Sequence, residues 1–200
     1  NVRLDLGQAP LLRLVYRETP GNARVDAMLL FHHTILDHTA LDVVREEIQL
    51  YLAGQQAQAA EPVPFRNYIA QVRNGVSERA HEGFFREMLA DIDAPTLPFG
   101  LQDVQGDGRG INEARIPVDS SLSRRLRALA RPLGVSVASM MHLAFARVLG
   151  VVCGRDAVVF GTVMLGRMGA GAGGERALGM FINTLPLRVD VGGQGVRAGV

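Results

Sequence analysis

Lysine is missing from this 200-residue sequence; apart from five histidines, every basic side chain is an arginine. A pyridoxal Schiff base needs a lysine amine, and a Walker phosphate loop needs a lysine near its end. Neither chemistry can reside in this chain. Cysteine occurs once, at Cys153. One thiol builds no disulfide framework and no cysteine zinc site, so Cys153 reads as a small buried hydrophobe at a helix end. No apolar run approaches the roughly 18–20 residues of a membrane span. No signal-peptide pattern opens the sequence, and Asn1-Val2-Arg3-Leu4-Asp5 does not read as a natural start. A net charge of +1 leaves no footprint for nucleic acid or an anionic membrane. What remains is a globular composition, 48% hydrophobic and 20% charged. It is long enough for one core or two small ones.

The most informative stretch is Phe31-His32-His33-Thr34-Ile35-Leu36-Asp37-His38-Thr39. The apolar run before it, Val25 to Leu30, reads as a strand buried on both faces. After it, Leu41, Val44, Ile48, Tyr51 and Leu52 recur at helical spacing. Thr39 is placed to cap that helix, with Asp42 as its capping-box partner. Successive strand side chains point to opposite faces, so His32 and His33 do different jobs, one facing a cleft and the other facing packing. Asp37, on the turn, can anchor the loop by pairing with a distant arginine. A positioned neutral imidazole is the usual group for moving a proton near pH 7. Three blander readings compete. The histidines can be packed and hydrogen-bonded core residues. His32, His33 and Asp37 can hold a metal, although opposite-facing histidines argue against it. Asp37 can be only a turn or cap residue.

Elsewhere, residues 11–17 alternate as a strand. Thr19-Pro20-Gly21-Asn22 then turns the chain into the His-His strand, most simply as a hairpin. Residues 55–60 form a polar loop. Residues 66–74 and 77–90 read as amphipathic helices, Ser77 capping the second and His81 facing solvent. Residues 91–110 carry Asp, Pro and Gly without periodicity and read as a linker. A strand is expected over 111–118, then a helix from Ser120 or Ser121 closed by Arg131-Pro132. Ser136 caps a helix from Val137 to Val151 that is apolar nearly all round and therefore buried, with His142 packed on it. Residues 157–165 read as a buried strand, and 181–190 as the last strand before a Gly-rich end. Between them, residues 166–174 contain a formal Gly-x-Gly-x-x-Gly. The dinucleotide reading needs a helix opening there. The segment up to Met180 is too short and is cut by Gly179, so a mobile loop is expected. The pattern is α/β in two parts.

Several stretches match one family's motifs in order. His32-His33-x-x-x-Asp37 resembles the His-His-x-x-x-Asp-Gly signature of condensation domains from nonribosomal peptide synthetases. Pro64-Phe65-Arg66-Asn67-Tyr68 resembles the family's aromatic-x-Asp-Tyr motif, with Asn67 where Asp is usual. Phe160 to Arg167 resembles its Gly-Thr-x-x-x-Gly-Arg motif. Leu178 to Arg188 resembles its Gly-x-Phe-x-Asn-Thr-x-x-x-Arg motif. The signature's Gly is His38 here, a replacement similar to that in the subtype that both epimerises and condenses.

The resemblance implies the α/β, two-lobe sandwich of the chloramphenicol acetyltransferase-like fold, incomplete at both ends. Residues 1–95 would be the C-terminal part of the first lobe, 96–110 the inter-lobe linker and 111–200 the N-terminal part of the second. It implies peptide-bond formation between a donor acyl or peptidyl thioester and an acceptor aminoacyl thioester. His33 would be the catalytic histidine. His32, Asp37, His38 and Arg167 would support it, with Asp37 paired to Arg167 across the lobes. Gly161 and Asn183 would line the substrate tunnel. No metal and no directly bound cofactor are implied; substrates ride on phosphopantetheine arms. The implied partners are upstream and downstream carrier domains, an adjacent adenylation domain and the missing parts of the same domain. Nucleic acid and membrane are not among them, and the location is cytoplasmic. Two other readings stay open: a non-catalytic recruitment domain of the same fold, and a free-standing acyltransferase using coenzyme A. The 200 residues alone are expected to be inactive.

Overall fold

A computed structural model describes residues 3–21, 24–102, 110–171, 173–193 and 195. The expected features at Asn22, at residues 103–109 of the linker, at Ala172 and through most of the Gly-rich end lie outside them. By contacts the chain forms two compact units. The first is Asn1–His81 with Val163–Thr184, and the second is Glu82–Thr162 with Leu185–Val200. The units interleave along the chain.

In the first unit, β1 (Leu12–Glu18) and β2 (Val25–Phe31) form an antiparallel hairpin, Leu12 opposite Phe31 and Glu18 opposite Val25. The apolar run of β2 predicts burial on both faces, but Val25 to Met28 are exposed and only Leu29 to Phe31 are partly covered. Burial of both faces needs a layer on each side, and among the described residues the pair gains no third strand. The chain then turns into α1 (His38–Leu52). Its cap is Asp37, not Thr39: the Asp37 carboxylate accepts from the Ala40 N–H at 2.8 Å. An aspartate there satisfies an orphan donor and also places negative charge at the positive end of the helix. Asp42, the expected capping-box partner, pairs instead with Arg45 at 2.8 Å. α2 (Phe65–Asn74) follows Pro64. α3 (Glu78–Met88), whose residues from Glu82 on belong to the second unit, starts where Ser77 Oγ accepts from the Ala80 N–H, and His81 on it is exposed.

The second unit holds α4 (Ser120–Leu133), capped by Asp119, and α5 (Val137–Cys153), capped by Ser136. Gly134 ends α4 at φ +65°, a left-handed conformation that favours glycine. Ala146 and Leu149 of α5 pack with Val158, Phe160, Val189 and Val191 as the core. The composition of α5 predicts burial all round, but Met141, Phe145, Val148 and Val151 are exposed. One face of the helix meets the core, and nothing among the described residues encloses the other. The strand expected at 111–118 is absent: the segment makes no ladder, and Ile116 is 90% exposed. Alternating residues without a partner strand have no hydrogen bonds to hold them in a sheet. Part of the expected linker is tied down in this unit. Arg155 donates to Ala94 O (2.6 Å) and Asp93 (2.7 Å), and Thr96 Oγ1 accepts from Val159 N–H (2.9 Å).

β3 (Ala157–Leu165) pairs with β4 (Ile182–Asp190), and each strand has residues in both units. The Gly166 N–H donates to Phe181 O at one end, and Val191 N–H to Asp156 O at the other, so the pair is antiparallel. β3 is less buried than expected, its last three residues being exposed. No single described helix is long and apolar enough to cross a membrane.

Candidate functional site

The first unit is centred on a buried carboxylate. Asp37 follows a three-residue turn, and its side chain is fully enclosed. Its Oδ1 accepts from Ala40 N–H at 2.8 Å and from Arg167 Nη2 at 2.5 Å. Its Oδ2 accepts from Arg167 Nε at 3.3 Å and from Phe181 N–H at 3.2 Å. The Asp37 N–H donates to Gly179 O at 3.2 Å. Burial alone would raise this carboxyl. The Arg167 hydrogen bonds, the two backbone donors and the guanidinium charge outweigh it and hold the group below its ordinary 3.8.

Arg167 satisfies its remaining donors on the chain around it. Nη1 donates to Gly174 O at 3.0 Å, Ala177 O at 2.8 Å and Glu175 O at 3.5 Å. The guanidinium lies over the Phe181 ring, 4.2 Å from its centroid, a favourable cation–π placement. Phe181 meets Phe65 edge-on at 5.0 Å and Tyr68 at 4.7 Å between centroids. Two glycines make this packing possible. A Cβ on Gly179 would overlap the Phe65 ring, and one on Gly166 would overlap Tyr68 Oη. The chain thus returns to the first unit within β3, at Val163, and this return brings Asp37 and Arg167 together, 130 residues apart. Both residues belong to one contact unit of this chain. A bidentate Arg–carboxylate pair in which every guanidinium nitrogen and both carboxylate oxygens have a partner is the arrangement that tolerates burial.

β2 ends at Phe31, the His32 N–H still donates to Leu11 O at 3.0 Å one position beyond the Leu12–Phe31 pair, and His33 opens the turn that follows. His32 is half-buried. Its Nδ1 lies 2.8 Å from Thr34 Oγ1 and accepts from Thr34 N–H at 3.2 Å. His33 is exposed, and among the described residues its imidazole has no hydrogen-bond partner. His38 is the first residue of α1 and is exposed. Asn183 is exposed on β4, its Oδ1 accepting from Thr184 N–H at 2.9 Å. Gly161 is exposed on β3 and belongs to the second unit. His142 pairs with Thr162 Oγ1 at 2.8 Å in the second unit, a packed histidine and not part of this site. Among the described residues no three His, Cys, Asp or Glu side chains are arranged to hold a metal ion.

Sequence reasoning missed Thr34 and the roles of Phe65, Tyr68, Phe181, Gly166 and Gly179. The motif segments contain most of them, but local periodicity does not say that a glycine is there for an aromatic ring to pass.

The family model described as Condensation domain matches residues 2–197. Malpinin synthetase of Mortierella alpina is 51% identical over 201 residues, covering all of this chain and 3% of that protein. Malpibaldin synthetase of the same organism is 50% identical over 190 residues, covering 94% of this chain and 3% of that protein. Among solved structures, the first condensation domain of the CDA synthetase superposes with a TM-score of 0.64 at 22% identity, over 94% of this chain and 43% of that one. SgcC5 from Streptomyces globisporus gives 0.66 at 22%, over 98% and 47%. At that identity the structures show the fold, which is the chloramphenicol acetyltransferase-like one. This chain therefore spans a few per cent of its curated relatives and under half of the solved ones, and it belongs to the condensation-domain family of nonribosomal peptide synthetases.

Proposed function

We propose that the domain containing this chain joins two carrier-bound substrates by acyl transfer, with His33 accepting the proton of the attacking amine. The supporting observation is an exposed imidazole at His33, without a hydrogen-bond partner among the described residues, beside a fully buried Asp37–Arg167 brace at the end of the same loop. The brace fixes the chain on one side of the turn, and the imidazole is left free for chemistry.

The acceptor's amine nitrogen attacks the donor's thioester carbonyl carbon. A C–N bond forms and the carbonyl π electrons move to oxygen. His33 takes one proton from the nitrogen. The carbonyl re-forms, the C–S bond breaks and the thiolate leaves. The proton passes from His33 to that sulfur, so no net proton is consumed. General-base help of this kind contributes about 10²–10⁴ in rate, with positioning adding to it. The substrates would ride on phosphopantetheine arms of upstream and downstream carrier domains, loaded by an adjacent adenylation domain, in the cytoplasm. Residues 1–95 and 111–200 would contribute to the two lobes of the complete domain, with Gly161 and Asn183 along its substrate tunnel. The 200 residues alone would be inactive, since solved relatives are about twice as long. His38, where the signature has Gly, supports a donor-inverting subtype.

The test is the complete domain with both carriers loaded, run with an L-donor in deuterated water. Peptide product supports condensation, and no product from a folded domain contradicts it in favour of a recruitment role. Deuterium at the donor α-carbon of a D-configured product supports inversion. An unlabelled L-product contradicts that part alone.

A further inference from the structure

The hydrogen bonds at His32 determine which of its ring nitrogens carries the proton. The Thr34 backbone N–H can only donate, and it points at His32 Nδ1 from 3.2 Å. Nδ1 is therefore an acceptor. The Thr34 hydroxyl, 2.8 Å from the same nitrogen, must then act as a donor too. A ring whose Nδ1 lone pair is held by two donors carries its hydrogen on Nε2. The His32 N–H also donates to Leu11 O at 3.0 Å, and His32 O accepts from Ile35 N–H at 3.1 Å, so backbone and ring together fix the turn. His33, in the middle of that turn, has none of these ties.

We propose that Thr34 is a positioning residue that locks His32 in its Nε2–H tautomer. His32 is then a hydrogen-bonded strut of the turn and not a proton acceptor, and the turn presents His33 as the one imidazole of the pair free to take a proton. The proposal rests on the reading of this loop as a condensation site, but the tautomer itself does not. His32 and Thr34 form one hydrogen-bonded unit around His33, which assigns a purpose to the first x of the His-His-x-x-x-Asp stretch in this chain.

The test uses the full condensation domain labelled with ¹⁵N-histidine, the His32 signals being assigned by their loss in His32→Gln. At pH 7.5 His32 is expected to show an unprotonated Nδ1 and a protonated Nε2. Thr34→Ser should keep that pattern and the condensation rate. Thr34→Val, which removes the shorter, hydroxyl donor and leaves only the backbone N–H on Nδ1, should weaken the Nε2–H preference toward a tautomer mixture. It should also slow condensation about three- to tenfold, the worth of one net hydrogen bond. Its circular dichroism spectrum should stay that of the wild type. A protonated Nδ1 at His32 in the wild type would overturn the lock. A Thr34→Val domain that keeps the wild-type rate would overturn the positioning role. A wild-type domain with the expected tautomer that makes no peptide contradicts the condensation reading and leaves the tautomer assignment standing.

Discussion

Two arginine–carboxylate networks stand one in each unit, and they differ in burial. In the first, Asp37 is fully enclosed and Arg167 is 8% exposed. In the second, Arg188 reaches Asp91, Asp190 and Met88 O, but the Asp91 side chain is 66% exposed. Both aspartates are held below the usual carboxylate range. At Asp91 the Arg188 hydrogen bonds are the main cause and little opposes them. At Asp37 burial is the largest influence and works against ionisation, so Arg167 and the backbone donors must overcome it. The same pair of groups is thus a surface tie in one unit and a structural keystone in the other. The keystone depends on every one of its partners.

The largest expected effect follows from removing one of them. Arg167→Met should cost about 3–5 kcal/mol, because it leaves a buried carboxylate without its partner. Urea unfolding of the full domain measures this, and a loss under about 1 kcal/mol would place Asp37 in the same class as an exposed surface pair.

Acid separates the two aspartates next. A depressed pKa gives stability that is complete above the unfolded value of 3.8 and is lost as the pH falls through the lower folded value. The stability gap between wild type and Asp37→Asn should therefore be constant from neutral pH down to about pH 5 and should close toward pH 3. A gap that widens with acid would mean that the folded carboxyl is raised and not lowered.

Gly179→Ala tests the aromatic floor beneath the keystone. The new methyl would overlap the Phe65 ring, and overpacking of this kind costs about 1–3 kcal/mol. Equal midpoints for the two proteins would show that the loop is free to move off Phe65. The smallest effect is expected from Arg188→Met, since Asp91 keeps its water when its partner goes. Its unfolding midpoint should fall by less than that of Arg167→Met, and the reverse order would break the comparison.

The sequence carries the local features well and the distant ones poorly. Ser77 and Ser136 announce α3 and α5 because a cap and its helix lie within a few residues. The β1–β2 hairpin is legible from the alternation over residues 11–17 and the apolar run over residues 25–30, on either side of Pro20-Gly21. Thr39 looks like a better cap than Asp37 only while Asp37 is given the single job of anchoring the loop; the structure lets it serve both. Alternation over residues 111–118 promises a strand, but a ladder needs a partner that local pattern does not name. The Asp37–Arg167 pair spans 130 residues, and no periodicity connects them; it comes from resemblance to a family motif. The Thr34–His32 bond is within reach, since a hydroxyl two residues from a histidine in a turn is a short-range pattern.

In the proposed division of labour, Asp37 and Arg167 build the site and His33 performs its chemistry. The most direct measurement is the single-turnover condensation rate of His33→Ala in the full domain with both carriers loaded, alongside its urea unfolding midpoint. The expected result is a rate about 10²–10⁴ below wild type at an unchanged midpoint, because His33 is exposed and unbonded among the described residues. A wild-type rate, or a loss of activity accompanied by a loss of stability, would contradict it.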